Sequence, residues 1–140
     1  MLSYQFYHFF HLGGLATVLL ALGAMPFVML APEEKRKGLR RPLGILHGVA
    51  LAIMVISGFG LLARLGITDG LPLWVILKLG VWVVLGVWPM AAYRLGAKAP
   101  VLTAFLPLAF ALTAFYIGGA KLGGYGAAGA PAVESTEAAE

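Results

Sequence analysis

The stretch EEKRKGLRR, residues 33–41, separates two long apolar runs and decides how the chain is arranged. It holds five of the ten Lys and Arg residues in the sequence. A basic segment beside a membrane span stays on the cytoplasmic side, because moving Lys and Arg across a bilayer is disfavoured. We therefore expect this segment to lie inside the cell, where it sets the direction of every span around it.

The composition indicates a protein whose solvent is lipid. Of its 140 residues, 61% are hydrophobic and only 11% are charged, whereas an average soluble domain is about 25% charged. The net charge of +4 is concentrated at the predicted membrane edges, which favours a role in topology over nucleic-acid binding. The sequence has no cysteine, which excludes disulfides, thiolate metal sites and cysteine nucleophiles.

Prolines and turn residues divide the apolar sequence into four predicted spans. They lie at about 4–30, 42–65, 72–93 and 100–121. This pattern predicts an all-α fold, an integral membrane four-helix bundle running up-down-up-down with both termini outside. The loops 31–42 and 94–99 are then cytoplasmic. The Gly- and Ala-rich acidic tail, residues 122–140, is predicted to be disordered, because it lacks the apolar surface needed for a core.

Prolines inside the later spans free backbone carbonyls. Pro89 leaves Leu85 without its helical donor, and Pro107 does the same for Thr103. In lipid a freed carbonyl needs another donor, and the Thr103 hydroxyl is one possible local partner.

Small residues line one face of the second span. Gly44, Gly48 and Ala52 follow one another at intervals of four residues. Such a stripe lets another helix backbone approach closely, so we predict helix packing here, with self-association as one form of it.

Three polar side chains fall at membrane depth, and depth sorts them by leaflet. His11 lies about 10 Å from the outer end of the first span, and Lys78 lies about 9 Å from the outer end of the third. His47 enters from the inner side, so His11 and His47 of one chain cannot ligate one haem iron together. The sequence leaves two interpretations of Lys78 open, outward snorkelling along Trp82 and a functional site.

The two histidines also have simple structural interpretations. His11 is either an interfacial residue that bonds a neighbouring helix or a ligand, and His47 suits a hydrogen bond between helices. Within the four predicted spans there is no Asp or Glu, which argues against a carboxylate proton relay. We predict no catalytic residue and no metal-ligand cluster.

Four short motifs carry a resemblance to known membrane proteins. They are YHFFHLGG at 7–14, LHG at 46–48, SGFGLL at 57–62 and WVILKL at 74–79. The layout is similar to small four-helix bacterial inner-membrane proteins with no assigned activity. More distantly, it resembles the superfamily of copper-resistance D-type proteins and the membrane protoporphyrinogen oxidase of haem biosynthesis. That resemblance implies His11 and Lys78 as candidate haem or metal-site residues.

Two functions are therefore carried forward. The first is a non-enzymatic accessory or assembly subunit of the bacterial plasma (inner) membrane, embedded in the lipid bilayer and self-associating or part of a larger membrane complex. The alternative is a haem- or metal-binding membrane redox protein that uses an outer-leaflet site at His11 and Lys78.

Overall fold

The chain folds into four α-helices in a computed structural model that describes residues 3–67, 70–95 and 97–119. The helices are α1 (Tyr4–Val28), α2 (Glu33–Arg64), α3 (Leu73–Leu95) and α4 (Pro100–Gly119). Each is long and apolar enough to cross a membrane, and the described ranges contain no strand. The predicted all-α class and the predicted number of helices are confirmed, whereas the predicted tail at 122–140 lies outside the described residues.

Three of the four helices begin close to their predicted positions. Ser3 caps α1, where its hydroxyl oxygen accepts from the Phe6 backbone N–H at 3.2 Å. Leu73 begins α3 directly after Pro72, and Pro100 itself begins α4. Proline suits a first helical turn because its missing N–H has no partner there.

The start of α2 differs from the prediction. The helix begins at Glu33 rather than at residue 42, so the basic segment 33–41 is helical and Pro42 lies inside the helix. Pro32 precedes the first turn, and Glu33 and Glu34 place negative charge at the positive end of the helix dipole. Glu33 also pairs with Lys37 at 3.1 Å, four residues along. The predicted loop 31–42 is therefore mostly the first turns of a 32-residue helix.

Successive helices run antiparallel, as predicted. The start of α1 meets the end of α2 at Tyr7 and Gly60. The start of α2 meets the end of α3 where the Tyr93 hydroxyl donates to the Arg40 carbonyl at 3.3 Å. Lys78, near the start of α3, lies against Gly118 near the end of α4. The bundle is thus up-down-up-down.

Helix α1 is the centre of the bundle. It contacts each of the other three helices and has its most extensive contact with α2, whereas α2 and α3 meet over a smaller area. Three of its side chains, Val18, Leu22 and Met25, are fully buried and join Ala50, Leu85 and Ala92 in the core. The short connection between α2 and α3 makes them neighbours, but α1 provides four of the six largest fully buried side chains, Val18, Leu22, Met25 and Pro26.

The backbones of α1 and α2 come close together at Gly14. A Cβ built there would lie 3.0 Å from both the Ala50 carbonyl oxygen and the Met54 nitrogen. Only a residue without a side chain permits this approach, which brings the two helix backbones into direct contact.

The predicted helix-packing stripe does not pack inside the chain. A Cβ built at Gly44 or Gly48 would have no neighbour within 4 Å, and Ala52 is exposed. Gly44, Gly48 and Ala52 therefore face no other helix among the described residues, and helix packing at this stripe stays a prediction. Helix α2 instead turns the face with His47 and Ala50 inward, because Gly14 allows α1 to approach there.

The outer surface of the bundle is strongly apolar. Leu20 is 74% exposed and Phe115 is 70% exposed, and many other large apolar side chains also face outward. Aqueous monomers rarely expose contiguous apolar surface on this scale, so the surface suits a lipid environment.

Candidate functional site

The candidate site lies where α1 begins, α2 ends, α3 begins and α4 ends. His11 on α1 is half-buried, and its Nδ1 lies 2.7 Å from the Met54 carbonyl oxygen on α2. A carbonyl only accepts, so Nδ1 carries the proton and donates. This geometry matches the structural interpretation of His11, a hydrogen bond to a neighbouring helix.

A glycine on α2 makes room for this imidazole. A Cβ built at Gly58 would lie 3.2 Å from His11 Cε1 and 3.3 Å from its Nδ1. The imidazole therefore occupies the space that a side chain at position 58 would fill. Ser57, the preceding residue, turns its hydroxyl to the Ile53 and Met54 carbonyls, at 2.6 and 3.1 Å.

The second nitrogen of His11 remains available. With the proton on Nδ1, Nε2 carries a lone pair, and it makes no hydrogen bond to the described residues. Histidines that ligate metals commonly donate their other ring N–H to a carbonyl, which fixes the tautomer and the ring direction. His11 is thus arranged as a ligating histidine would be.

Lys78 is directed toward the N-terminal end of α3. Its Nζ lies 5.3 Å from the centre of the Trp74 ring, one turn earlier on the helix. A Cβ built at Gly118 would lie 2.8 Å from Lys78 Cε, so the stem lies against α4. The cation–π partner is Trp74 rather than the predicted Trp82, because the amine turns toward the helix start and not toward its middle.

His11 and Lys78 come to the same end of the bundle, near the start of α1 and the start of α3. They nevertheless face different helices, since the imidazole contacts α2 and the amine contacts α4. Two apolar grooves, of about 270 and 330 Å³, run along α1 and α2, and neither is lined by His11 or Lys78. The Nε2 of His11 suits one coordination position on a metal or haem iron, whereas neither groove provides a cavity for a porphyrin beside it.

The second histidine connects α2 to α3. His47 is only 4% exposed, and its Nε2 donates to the Leu85 carbonyl at 3.2 Å. Pro89 stands four residues after Leu85 and has no N–H for this carbonyl. The histidine thus replaces the backbone donor that the proline removes, and both ends of this interaction were predicted separately from the sequence.

The same arrangement recurs between α3 and α4. Pro107 leaves the Thr103 carbonyl without its helical donor, and the indole Nε1–H of Trp88 donates to it at 3.0 Å. The Thr103 hydroxyl, predicted as a possible partner, instead donates to Ala99 at 2.8 Å and contacts Pro100 at 3.2 Å. A hydroxyl on the same residue reaches the preceding turn, so the donor for Thr103 comes from another helix.

Two features of this network could not be read from the sequence. Trp88 lies 15 residues before Thr103, and the helix rotation that brings its indole to this carbonyl is not encoded locally. Trp82 is the opposite case, because its indole nitrogen is buried without a hydrogen-bond partner among the described residues.

The basic end of the bundle is held by a different set of contacts. The Arg40 guanidinium lies 4.4 Å from the centre of the Tyr93 ring, and the Tyr93 hydroxyl donates to the Arg40 carbonyl. Arg36 lies 3.9 Å from Glu33. These contacts order the first turns of α2 against the last turns of α3, at the end opposite to His11 and Lys78.

Comparisons of the chain with protein families, curated proteins and solved structures find no match. Within the described ranges, no group of three or more His, Cys, Asp or Glu side chains is placed to hold a metal ion. The proposed function therefore rests on the geometry of the polar groups.

Proposed function

We propose that this chain is a multi-pass protein of the bacterial inner membrane, with residues 31–42 and 94–99 in the cytoplasm and both termini outside. The four apolar helices and the exposed apolar surface support membrane insertion. The basic residues of 33–41 gather at one end of the bundle, which supports this orientation. The similarity to small bacterial inner-membrane proteins remains part of the proposal.

Within that membrane, the protein acts as a non-enzymatic accessory or assembly subunit. One observation carries this proposal: the small-residue stripe of α2 faces outward. Gly44 and Gly48 have open space where side chains would lie, so another helix can approach α2 there as closely as α1 approaches at Gly14. Inside the bundle, meanwhile, His47 and Trp88 donate to backbone carbonyls and so connect helices.

The test is a matched pair of glycine substitutions. Gly48→Ile blocks the stripe, whereas Gly80→Ile adds the same bulk on α3, where a Cβ also meets nothing within 4 Å. We expect both variants to keep their helicity and only Gly48→Ile to reduce the size of the assembly in mild detergent. An assembly of unchanged size in Gly48→Ile would count against the stripe as a contact surface.

The alternative function, a haem- or metal-binding redox protein, is favoured by the tautomer of His11. Its Nδ1–H donates to Met54 and leaves Nε2 as a ligand, while Lys78 lies at the same end of the bundle. When bound, a haem or metal would supply one-electron chemistry. The chain itself would orient the ligating nitrogen through Met54 and place it at the outer leaflet.

Absorption spectroscopy separates the two functions. A Soret band that is lost in His11→Ala or Lys78→Ala and kept in His47→Ala would support the redox function. Protein that remains colourless and metal-free after haem and metals are supplied would support the accessory function. His47→Ala is a suitable comparison because its imidazole is committed to Leu85.

A further inference from the structure

The Lys78 side chain is a half-buried cation for which the described bundle provides no anion. Glu33 and its ion-pair partners Arg36 and Lys37 lie at the other end of the bundle. His11, at the same end of the bundle, carries no negative charge, since its imidazole donates through Nδ1 to Met54. The ammonium has the Trp74 ring as its polarisable neighbour, and its three N–H donors make no hydrogen bond within the described ranges.

The contacts of the Lys78 amine also define its position along the bundle. Lys78 belongs to the second turn of α3, and its side chain turns back over Trp74 in the first turn. It lies beside Gly118, in the last turn of α4. Because the positive charge is near the carbonyl end of α4, the helix dipole stabilises it as an ammonium. The charge thus lies at the rim of the bundle, where a lipid headgroup begins.

From this geometry we propose that Lys78, Trp74 and Gly118 form a binding site for the phosphate group of an anionic phospholipid in the outer leaflet. The ammonium supplies charge-assisted hydrogen bonds to the phosphate oxygens. Trp74 lies in the first turn of α3, the positive end of that helix dipole, which also favours an anion. Gly118 leaves the space that the lysine stem needs to reach this position.

The site goes beyond the assembly function and rests on the proposed membrane insertion and orientation. It differs from ordinary snorkelling, in which a lysine meets bulk headgroups without selecting among them. Here the Lys78 stem lies between two helices, and its amine lies over an aromatic ring. The side chain therefore loses less conformational entropy when it binds a lipid. The result is a preference for anionic over zwitterionic phospholipid.

The experiment is native mass spectrometry of the full chain with phosphatidylglycerol or phosphatidylcholine added at equal concentration. One ordered lysine at a headgroup is worth about a five-fold preference for the anionic lipid. We expect Lys78→Met to lose this preference and Lys98→Met to keep it. Lys98 is the matched control because it is an exposed lysine in the connection between α3 and α4, at the other end of the bundle.

A second variant tests the geometry without removing the charge. In Gly118→Ala the new methyl would meet the flexible end of Lys78 and displace the amine while leaving both helix backbones in place. We expect this variant to lose most of the preference with unchanged helicity. Equal preference in wild type, Lys78→Met and Gly118→Ala would overturn the proposal.

Inorganic phosphate distinguishes a lipid site from a free-anion site. We expect a large excess of phosphate not to displace phosphatidylglycerol, because the acyl chains add contacts that the free anion lacks. Displacement by phosphate would overturn the lipid assignment in favour of a site for soluble phosphate.

Discussion

The imidazole of His47 donates to the carbonyl of Leu85, the group that Pro89 deprives of its backbone donor. The interaction is buried, since His47 is 4% exposed. In a lipid environment an unsatisfied carbonyl cannot turn to water. The proline on α3 and the histidine on α2 are therefore two parts of one helix-to-helix connection.

We expect His47→Leu to destabilise the bundle by about 1–2 kcal/mol, because the Leu85 carbonyl loses its donor. In a Pro89→Ala background the backbone N–H returns, so the same substitution should cost clearly less. A double-mutant cycle of unfolding free energies in detergent measures this coupling. An equal cost in both backgrounds would contradict the connection, and His8→Leu serves as an exposed histidine control.

Two half-buried tryptophans of α3, Trp82 and Trp88, lead to opposite predictions. Trp88→Phe keeps most of the ring but leaves the Thr103 carbonyl without a donor, and should cost about 1 kcal/mol. Trp82→Phe removes an N–H that has no partner in the described part of the chain, and should be neutral or stabilising. Thermal unfolding of both variants checks this order, and a larger loss in Trp82→Phe would refute it.

Neighbouring glycines on α1 form another matched pair. Gly14→Ala places a methyl 3.0 Å from the α2 backbone and should destabilise the bundle by about 1–3 kcal/mol. Gly13→Ala enters open space and should be neutral or stabilising by up to about 1 kcal/mol, since alanine favours helices. Similar unfolding midpoints for the two variants would show that α1 and α2 do not cross at Gly14.

The sequence predicted the four helices and most of their ends, because hydropathy and proline position are local signals. The start of α2 was missed because Pro42 was interpreted as a helix start. The favourable first turn at Glu33 and Glu34 extends the helix past the membrane span, and a proline inside it is tolerated.

Helix rotation was the main quantity that the sequence could not supply. Gly14 and Gly48 both permit close packing, but only Gly14 meets another helix of this chain. The freed carbonyls of Leu85 and Thr103 were predictable, whereas their donors His47 and Trp88 depend on how α2, α3 and α4 are turned. The sequence predicted the membrane depth of Lys78. Its contact with Trp74 depends on the side-chain rotamer, which the sequence does not give.

The membrane arrangement is tested most directly by cysteine labelling, which is simple because the chain has no native cysteine. Gly38→Cys lies in the basic segment, where a Cβ meets nothing within 4 Å, and Leu71→Cys lies at an exposed position between α2 and α3. With a membrane-impermeant maleimide on intact cells, we expect Leu71→Cys to be labelled at once and Gly38→Cys only after permeabilisation. Labelling of Gly38→Cys in intact cells, with Leu71→Cys protected, would contradict the proposed orientation.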